Sequence, residues 1–188
     1  DRPDVLLNHN HAPDGGDGRI VEKWSFRRSN YFPHVGNECR NVHDNVGMLD
    51  MSAFAKYQVS GPGAEAWLDG LLANRIPKQK GRIALCHLLS KNGGVRSEFT
   101  VYRTGRDSFY LVGAGAFERH DHDYLEKALP AAGGVRLDKV TTQYGVLVLA
   151  GPRSRELLEK LTDADLSNAA FPWLTGKFID VGIAQAHA

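Results

Sequence analysis

The segment Gly81–Arg103, GRIALCHLLSKNGGVRSEFTVYR, constrains the fold of this chain more than any other segment. Apolar residues fill its first half, and β-branched and aromatic residues are frequent in its second half, as is typical of strands. Between them, Asn92–Gly94 supplies the positive φ angles that a tight turn needs, so the segment predicts a β-hairpin. Glu98 lies inside the second strand. Its carboxylate faces either solvent or a pocket, and which of the two it faces decides what the protein does.

Composition predicts an ordinary folded domain. The chain has 188 residues, of which 42% are hydrophobic and 24% are charged. The formal net charge of +1 gives no electrostatic reason to expect a nucleic-acid partner. Apolar runs such as Val146–Ala150 are too short to span a bilayer, so we also expect no membrane partner.

The two cysteines, Cys39 and Cys86, are far apart in sequence. Their number and spacing are not those of a disulfide framework or of a zinc site. We expect both to be buried free thiols in a reducing compartment.

Outside the hairpin, short strands and helices alternate irregularly, which favours an α+β fold over a doubly wound parallel sheet. We predict strands at Val21–Arg27, Met48–Ser52, Ala55–Ser60, Ser108–Val112, Val135–Val140 and Gly145–Leu149. Predicted helices cover Asn37–Val46 with Gly47 as the stop, Ala64–Leu72, Phe117–Leu129 and Ser154–Leu161, followed by an irregular segment at Leu166–Pro172.

Residues 1–27 are interpreted as a linker or as the tail of a preceding domain, because proline, glycine and polar residues dominate the beginning of this segment. Residues 28–188 form the predicted domain. Phe178–Ala188 resembles the opening of another strand, so we expect the chain to be truncated at both ends.

One pattern occurs twice. YQVSGPGAEAWLDGLL begins at Tyr57 and GVLVLAGPRSRELLEKL begins at Gly145, and each contains a strand, a Gly-Pro pair and a helix with two leucines. The Gly-Pro pairs start at Gly61 and Gly151, a spacing too long for a solenoid repeat. This spacing predicts two related α+β halves.

Seven motifs occur in a fixed order across residues 26–181, and they identify a family: VGMLDMSAFAKY, VSGPG, ANRIPKQKGR, GGVRSEFTVYR, YLVGAGAFERHD, LAGP and DLSNAAFPWLT. With these motifs the chain resembles the folate-binding aminomethyltransferase domain of the glycine-cleavage T-protein. It is still more similar to the carboxy-terminal half of the dimethylglycine and sarcosine dehydrogenase flavoproteins.

The resemblance implies the T-protein-like folate-binding fold, with two related ferredoxin-like halves and its carboxy-terminal part missing. It implies that an amino-terminal FAD domain of the parent protein oxidises an N-methyl amine to an iminium, and that this domain passes the one-carbon unit to tetrahydrofolate. FAD would lie outside this chain, which lacks the dinucleotide fingerprint GxGxxG. The resemblance also implies a cytoplasmic location.

The resemblance also implies roles for individual residues. The family places an acidic residue beside folate N10, and Glu98 occupies that position, where many members have aspartate. A carboxylate there can orient the amine, accept its proton and stabilise a cationic carbon. Because glutamate is one methylene longer, its carboxylate would lie about 1 Å out of register, a shift that can cost about 100-fold in rate. The residues implied to line the pterin pocket are Met51, Tyr110, Val112, Gly113 and Ala114.

Several polar groups have a plainer interpretation. The run His120–Asp123 alternates histidine and aspartate, but adjacent residues on a helix point apart, so we interpret it as a solvated helix face and not as a metal site. His87 lies in the first hairpin strand and could border the pocket, but we favour its interpretation as a core or edge histidine. The basic residues Lys78, Lys80 and Arg82 either receive the anionic folate tail or form an ordinary solvated loop.

Two other functional classes stay open at the level of sequence. One is a folate-binding module without catalysis, and the other is a purely structural docking domain. The sequence does not name the amine that is oxidised or the oligomeric state.

Overall fold

The computed structural model describes residues 26–29 and 31–188, so most of the predicted linker at 1–27 and most of the predicted strand at Val21–Arg27 lie outside the described residues. The described helices are α1 (Phe32–Asp44), α2 (Ala64–Leu71), α3 (Glu118–Lys127) and α4 (Ser154–Leu158). The described strands are β1 (Gly47–Asp50), β2 (Ala55–Ser60), β3 (Leu72–Ala73), β4 (Ile83–Leu89), β5 (Val95–Gly105), β6 (Ser108–Gly113), β7 (Arg136–Lys139), β8 (Leu147–Ala150), β9 (Phe178–Val181) and β10 (Ala184–His187).

The chain divides into two compact units. The larger unit is Asp50–Val146 with Leu161–Ala188, and the smaller one contains the described residues up to Leu49 together with Leu147–Lys160. The larger unit contains a six-stranded sheet in the order β3-β4-β5-β6-β2-β7, in which every neighbouring pair is antiparallel. The hairpin β9–β10 also belongs to it. The smaller unit contains α1, α4 and the paired strands β1 and β8.

Helices α2 and α3 cover one face of the six-stranded sheet. Leu68 of α2 and Leu125 of α3 are fully buried in the same apolar cluster as Phe99 of β5. The Trp67 indole N–H donates a hydrogen bond of 2.7 Å to the carbonyl of Ala128, which ties α2 to the end of α3. Helices on one side of an antiparallel sheet define the α+β class, so the predicted fold class is confirmed.

The predicted hairpin is present, but its loop differs from the expected tight turn. Strands β4 and β5 pair from Ile83 opposite Tyr102 to Leu89 opposite Val95, with a register shift after Leu88. A five-residue loop joins them, closed by the Ser90 N–H donating to the Gly94 carbonyl at 2.7 Å. Gly93 alone in this loop has a positive φ, +78°. The extra loop residues follow from the register shift, since an irregular strand end does not meet the geometry of a two-residue turn.

Three predictions need correction. Helix α1 begins at Phe32 and not at Asn37, because Pro33 is well tolerated in the first turn of a helix. Gly47 begins β1 and does not act as the helix stop. Cys39 in α1 is exposed, so the expectation of two buried thiols is wrong for Cys39 and confirmed for Cys86. None of the helices in the described part of the chain is long and apolar enough to cross a membrane.

The repeated Gly-Pro pattern corresponds to repeated geometry. Gly61 and Gly151 have φ angles of +118° and +120°, and a Cβ on either would lie 2.4 or 2.5 Å from a backbone carbonyl oxygen, of Gly134 or Asn45. The amide two residues later donates to that same carbonyl: Gly63 to Gly134 at 3.0 Å and Arg153 to Asn45 at 2.9 Å. Each glycine thus allows a strand to approach a neighbouring segment closely before turning into a helix.

Candidate functional site

The two faces of strand β5 differ. Ser97, Phe99 and Val101 point to the buried side beneath the helices, whereas Glu98 and Thr100 point to the opposite side. Cross-strand pairs continue this second side, because His87 lies opposite Glu98, Leu85 opposite Thr100 and Thr100 opposite Val112. We call this side the open face; it comprises Leu85, His87, Glu98, Thr100, Tyr110 and Val112.

Glu98 lies on the open face in contact with a histidine. The Glu98 Oε2 atom is 3.1 Å from His87 Nε2, and the two side chains are 56% and 35% exposed. An ionised carboxylate has no proton to donate, so Nε2–H of His87 donates this hydrogen bond. The second carboxylate oxygen of Glu98 is available to a ligand above the sheet. The carboxylate can therefore accept a proton or a hydrogen bond from such a ligand.

Tyr110 lies on the same face, one strand from Thr100. Its ring packs edge-on against the ring of Tyr144, with 6.3 Å between centroids. Burial, and to a lesser extent the neighbouring Tyr144, raise the pKa of Tyr110 to about 12. The phenol therefore stays protonated at neutral pH, where it offers an aromatic surface and one hydrogen-bond donor to a ligand but does not act as a base.

Met51 belongs to a turn that a buried lysine holds in place. The Met51 N–H donates to the Val146 carbonyl at 2.8 Å, and its own carbonyl accepts from the Phe54 N–H at 3.1 Å. The fully buried ammonium of Lys56 donates to the carbonyls of Ser52, Phe54 and Thr141 at 2.8–3.0 Å. Lys56 thus fixes the turn after Met51 and joins it to the segment that leads to Tyr144.

The other two predicted pocket residues are placed differently. Gly113 lies on the helix side of the sheet, where a Cβ would come within 2.9 Å of the Phe99 ring. Ala114 follows β6 directly and is exposed. Of the predicted site residues, the structure brings Glu98, Tyr110 and Val112 together on the open face, and it does not place Gly113 there.

The histidine-rich helix is more than a solvated face. Asp121 is 1% exposed, and it accepts hydrogen bonds from the Ser97 hydroxyl and, at 2.9 Å, from His120 Nδ1. The expectation that adjacent residues point apart is therefore wrong for His120 and Asp121, because both side chains bend toward β5. No group of three potential metal ligands occurs among residues 26–29 and 31–188. The YLVGAGAFERHD motif contains Asp121 but gives no signal of its burial.

The basic run also acquires structural contacts. Lys78 pairs with Glu65 at 2.8 Å, and the same carboxylate binds the buried guanidinium of Arg103 at 2.7 Å. Arg82 forms an isolated bridge with Thr175. Lys78 is therefore part of a structural ion pair, and this contact favours the structural interpretation for that residue.

Comparisons with known proteins agree with the motifs. A family model described as the GCVT N-terminal domain matches residues 10–188. Mitochondrial dimethylglycine dehydrogenase of Mus musculus is 39% identical over 158 residues, which cover 84% of this chain and 18% of that protein. The mitochondrial pyruvate dehydrogenase phosphatase regulatory subunit of Mus musculus is 30% identical over 168 residues, covering 88% of this chain and 19% of the relative.

A solved structure confirms the predicted fold. The crystal structure of glycine cleavage system aminomethyltransferase T from Bartonella henselae superposes with a TM-score of 0.65 at 22% identity. The superposition covers 74% of this chain and 37% of that chain. The chain thus spans less than a fifth of the mammalian relatives it matches, and little more than a third of the bacterial one.

Proposed function

Since this chain belongs to the GCVT N-terminal domain family, we propose that its open face binds a reduced folate and takes part in one-carbon transfer to it. The parent protein would be a dimethylglycine or sarcosine dehydrogenase-like enzyme, and the similarity to dimethylglycine dehydrogenase supports this. One observation carries the proposal: the carboxylate of Glu98 shares an open sheet face with Tyr110 and Val112. A flat aromatic ligand needs such a combination of apolar surface and one oriented polar group.

The proposed transfer starts from an iminium, CH2=NR2+. The folate N5 nitrogen attacks the methylene carbon and forms a carbon–nitrogen bond. The amine R2NH then leaves with the N5 proton, and the N10 nitrogen attacks the same carbon to close the ring. The N10 proton is lost to Glu98 and from there to solvent. Methylene-tetrahydrofolate, the demethylated amine and one proton are the products, with no change in redox state.

Glu98 would act in two ways. Its negative charge stabilises the cationic carbon before ring closure, and its free oxygen accepts the N10 proton as the ring closes. Tyr110 and Val112 would support the pterin ring, and the turn at Met51 would form a wall. The phenol of Tyr110 contributes a donor, because its raised pKa keeps it protonated.

FAD would supply the oxidation that generates the iminium, and it would be bound by another domain of the parent protein. No residue of this chain is assigned to it. The cytoplasmic location stays a prediction, and the names of the mammalian relatives place those proteins in mitochondria.

The test uses the full-length polypeptide with two folates: folinate, a stable reduced folate whose blocked N5 cannot accept the carbon, measures binding, and tetrahydrofolate is the acceptor that measures transfer. Glu98→Gln removes the charge at constant size, and we expect it to reduce one-carbon transfer by roughly 100-fold or more. The matched control is Glu126→Gln on α3, since Glu126 is 61% exposed and also contacts a histidine, His122, at 3.6 Å. Absence of folinate binding to wild-type protein would refute the proposal, and so would full transfer activity in Glu98→Gln.

A second candidate is a regulatory module that binds folate without transferring carbon. The similarity to a regulatory subunit favours it, because that relative covers 88% of this chain. The folinate titration and the transfer assay with tetrahydrofolate together separate the two candidates. Folinate binding without any transfer in the wild-type protein would support the regulatory module.

A further inference from the structure

We propose that His87 is a positioning residue that holds the Glu98 carboxylate where it meets the ligand. This inference rests on the proposed function and adds a residue to that site. It starts from the hairpin register: His87 in β4 lies directly opposite Glu98 in β5, and both side chains project from the open face. Nothing in the buried core depends on their contact, because the two side chains point away from it.

A glutamate on an exposed sheet face needs an anchor. Its side chain has several rotatable bonds, so the carboxylate can occupy positions several ångströms apart when nothing holds it. In this chain Nε2–H of His87 binds one oxygen, Oε2, at 3.1 Å. The other oxygen, Oε1, is left for the ligand. One fixed oxygen and one available oxygen give a defined direction for proton acceptance.

The surroundings of His87 leave Glu98 as its polar neighbour on the sheet. On the other side, β3 places Ala73 opposite His87, which offers only a methyl group. Along β4, the residues on the same face are Leu85 and Leu89, both of them apolar. The imidazole therefore has one charged partner in the described sheet, and its orientation follows from that partner.

Side-chain length provides the test. In Glu98→Asp the carboxylate is withdrawn by one methylene and no longer reaches Nε2 at hydrogen-bond distance. His87 should then make no difference to the transfer rate. A purely structural role of His87 would instead cost the same factor in both backgrounds, so a double-mutant cycle separates the two roles.

The experiment measures folinate affinity and the rate of methylene transfer in the full-length polypeptide for four proteins: wild type, His87→Ala, Glu98→Asp and the double variant. We expect His87→Ala to slow transfer roughly 10- to 100-fold, because a carboxylate displacement of as little as about 1 Å can cost about 100-fold in rate. Folinate affinity should change little. The double variant should be no slower than Glu98→Asp alone.

A conservative variant and a remote one complete the design. His87→Gln places an amide N–H near the position of Nε2, and we expect it to recover most of the rate that His87→Ala loses. His43→Gln is the control for replacing an exposed histidine that contacts a carboxylate, here Asp44 at 2.6 Å. It should transfer at the wild-type rate.

Each result decides a separate point. A wild-type rate in His87→Ala would overturn the positioning role while leaving the proposed function intact. An equal loss from His87→Ala in the wild-type and Glu98→Asp backgrounds would do the same. An unchanged folinate affinity and an unchanged transfer rate in Glu98→Gln would refute the proposed role of Glu98 itself. If His87→Ala fails to fold, the transfer rate of His87→Gln is compared directly with that of the wild type. A loss of roughly 10-fold or more in a folded His87→Gln protein would count against the positioning role, because its amide N–H replaces that of Nε2.

Discussion

The hydroxyl of Ser97 in β5 donates a hydrogen bond to the carboxylate of Asp121 in α3, in the interior of the larger unit. Ser97 directly precedes Glu98 in β5. The buried contact of Ser97 with Asp121 and the exposed contact of Glu98 with His87 therefore lie on opposite faces of the sheet. Asp121 also lies in the first turn of α3, where a negative charge interacts favourably with the helix dipole. The contact therefore fixes α3 against the strand that carries Glu98.

Asp121→Ala should destabilise the larger unit by about 1–3 kcal/mol, since it leaves the buried Ser97 hydroxyl without its carboxylate partner. Asp121→Asn keeps an acceptor oxygen and should cost less. Urea unfolding measures both. The control is Asp123→Ala in the same helix, where the side chain is 61% exposed and contacts Lys127, and which should change the midpoint little. Equal midpoints for Asp121→Ala and Asp123→Ala would contradict the structural role of the buried carboxylate.

Glu65 gives the larger unit a dependence on pH. Hydrogen bonds from Lys78 and then Arg103 lower the pKa of Glu65 below its ordinary value of 4.5. A carboxyl with a lowered folded pKa contributes stability above its unfolded pKa, and the contribution is lost as the pH falls through the folded pKa. Glu65→Gln should therefore cost about 1 kcal/mol at neutral pH, since the carboxylate is only partly screened by solvent.

The measurement is the free energy of unfolding of wild type and Glu65→Gln between neutral and acidic pH. The difference between them should be constant down to the ordinary Glu65 pKa and should shrink below it. An increase of this difference on acidification would be the opposite pH dependence. It would show that Glu65 does not bind Arg103 as an ionised group.

Gly61→Ala should destabilise the larger unit strongly. The new methyl would lie 2.4 Å from the Gly134 carbonyl oxygen, and the residue would keep a φ of +118°. Backbone strain of this kind costs about 1–3 kcal/mol before any steric displacement. Gly70→Ala is the control, because its Cβ meets open space within α2 and should stabilise the helix by about 0.5–1 kcal/mol. Thermal melts in which both variants shift in the same direction would contradict this geometry.

Lys56→Met should open the turn next to Met51. Three backbone carbonyls lose their donor, at a cost of about 1–3 kcal/mol for each one that water does not reach. We expect lower stability and weaker folinate binding together, because the turn is proposed as a wall of the site. Lys139→Met, at a half-exposed position on β7, should leave folinate affinity unchanged. A wild-type folinate affinity in a folded Lys56→Met protein would show that the turn at Met51 does not form part of the folate site.

The sequence predicted elements whose signal is local. The sequence predicts a strand at Ala55–Ser60 and β2 lies there, because apolar and polar residues alternate along AKYQVS and a Gly-Pro pair follows its end. The repeated Gly-Pro pattern likewise indicated its geometry, since Gly61 and Gly151 adopt a φ that other residues rarely adopt.

The contacts that the sequence did not predict join residues that are far apart along the chain. Asp121 looked like part of a solvated histidine face because its buried partner, Ser97, is 24 residues away. His87 looked like a core or edge histidine because the register that places it opposite Glu98 follows from the loop closure and the irregularity at Leu88. The open face could not be predicted without the arrangement of the whole sheet. Alternation along β5 indicates that the strand has two sides, but it does not indicate which side the helices cover.

The proposed function requires a reduced folate to occupy the open face. We would react the full-length polypeptide with diethyl pyrocarbonate, which modifies accessible imidazoles, with and without saturating folinate, and follow each histidine by mass spectrometry. Folinate should slow the modification of His87 and leave His43 and His122 unchanged, because those two lie on α1 and α3 and not on the open face. Equal modification of His87 with and without bound folinate would contradict the assignment of this face as the folate site.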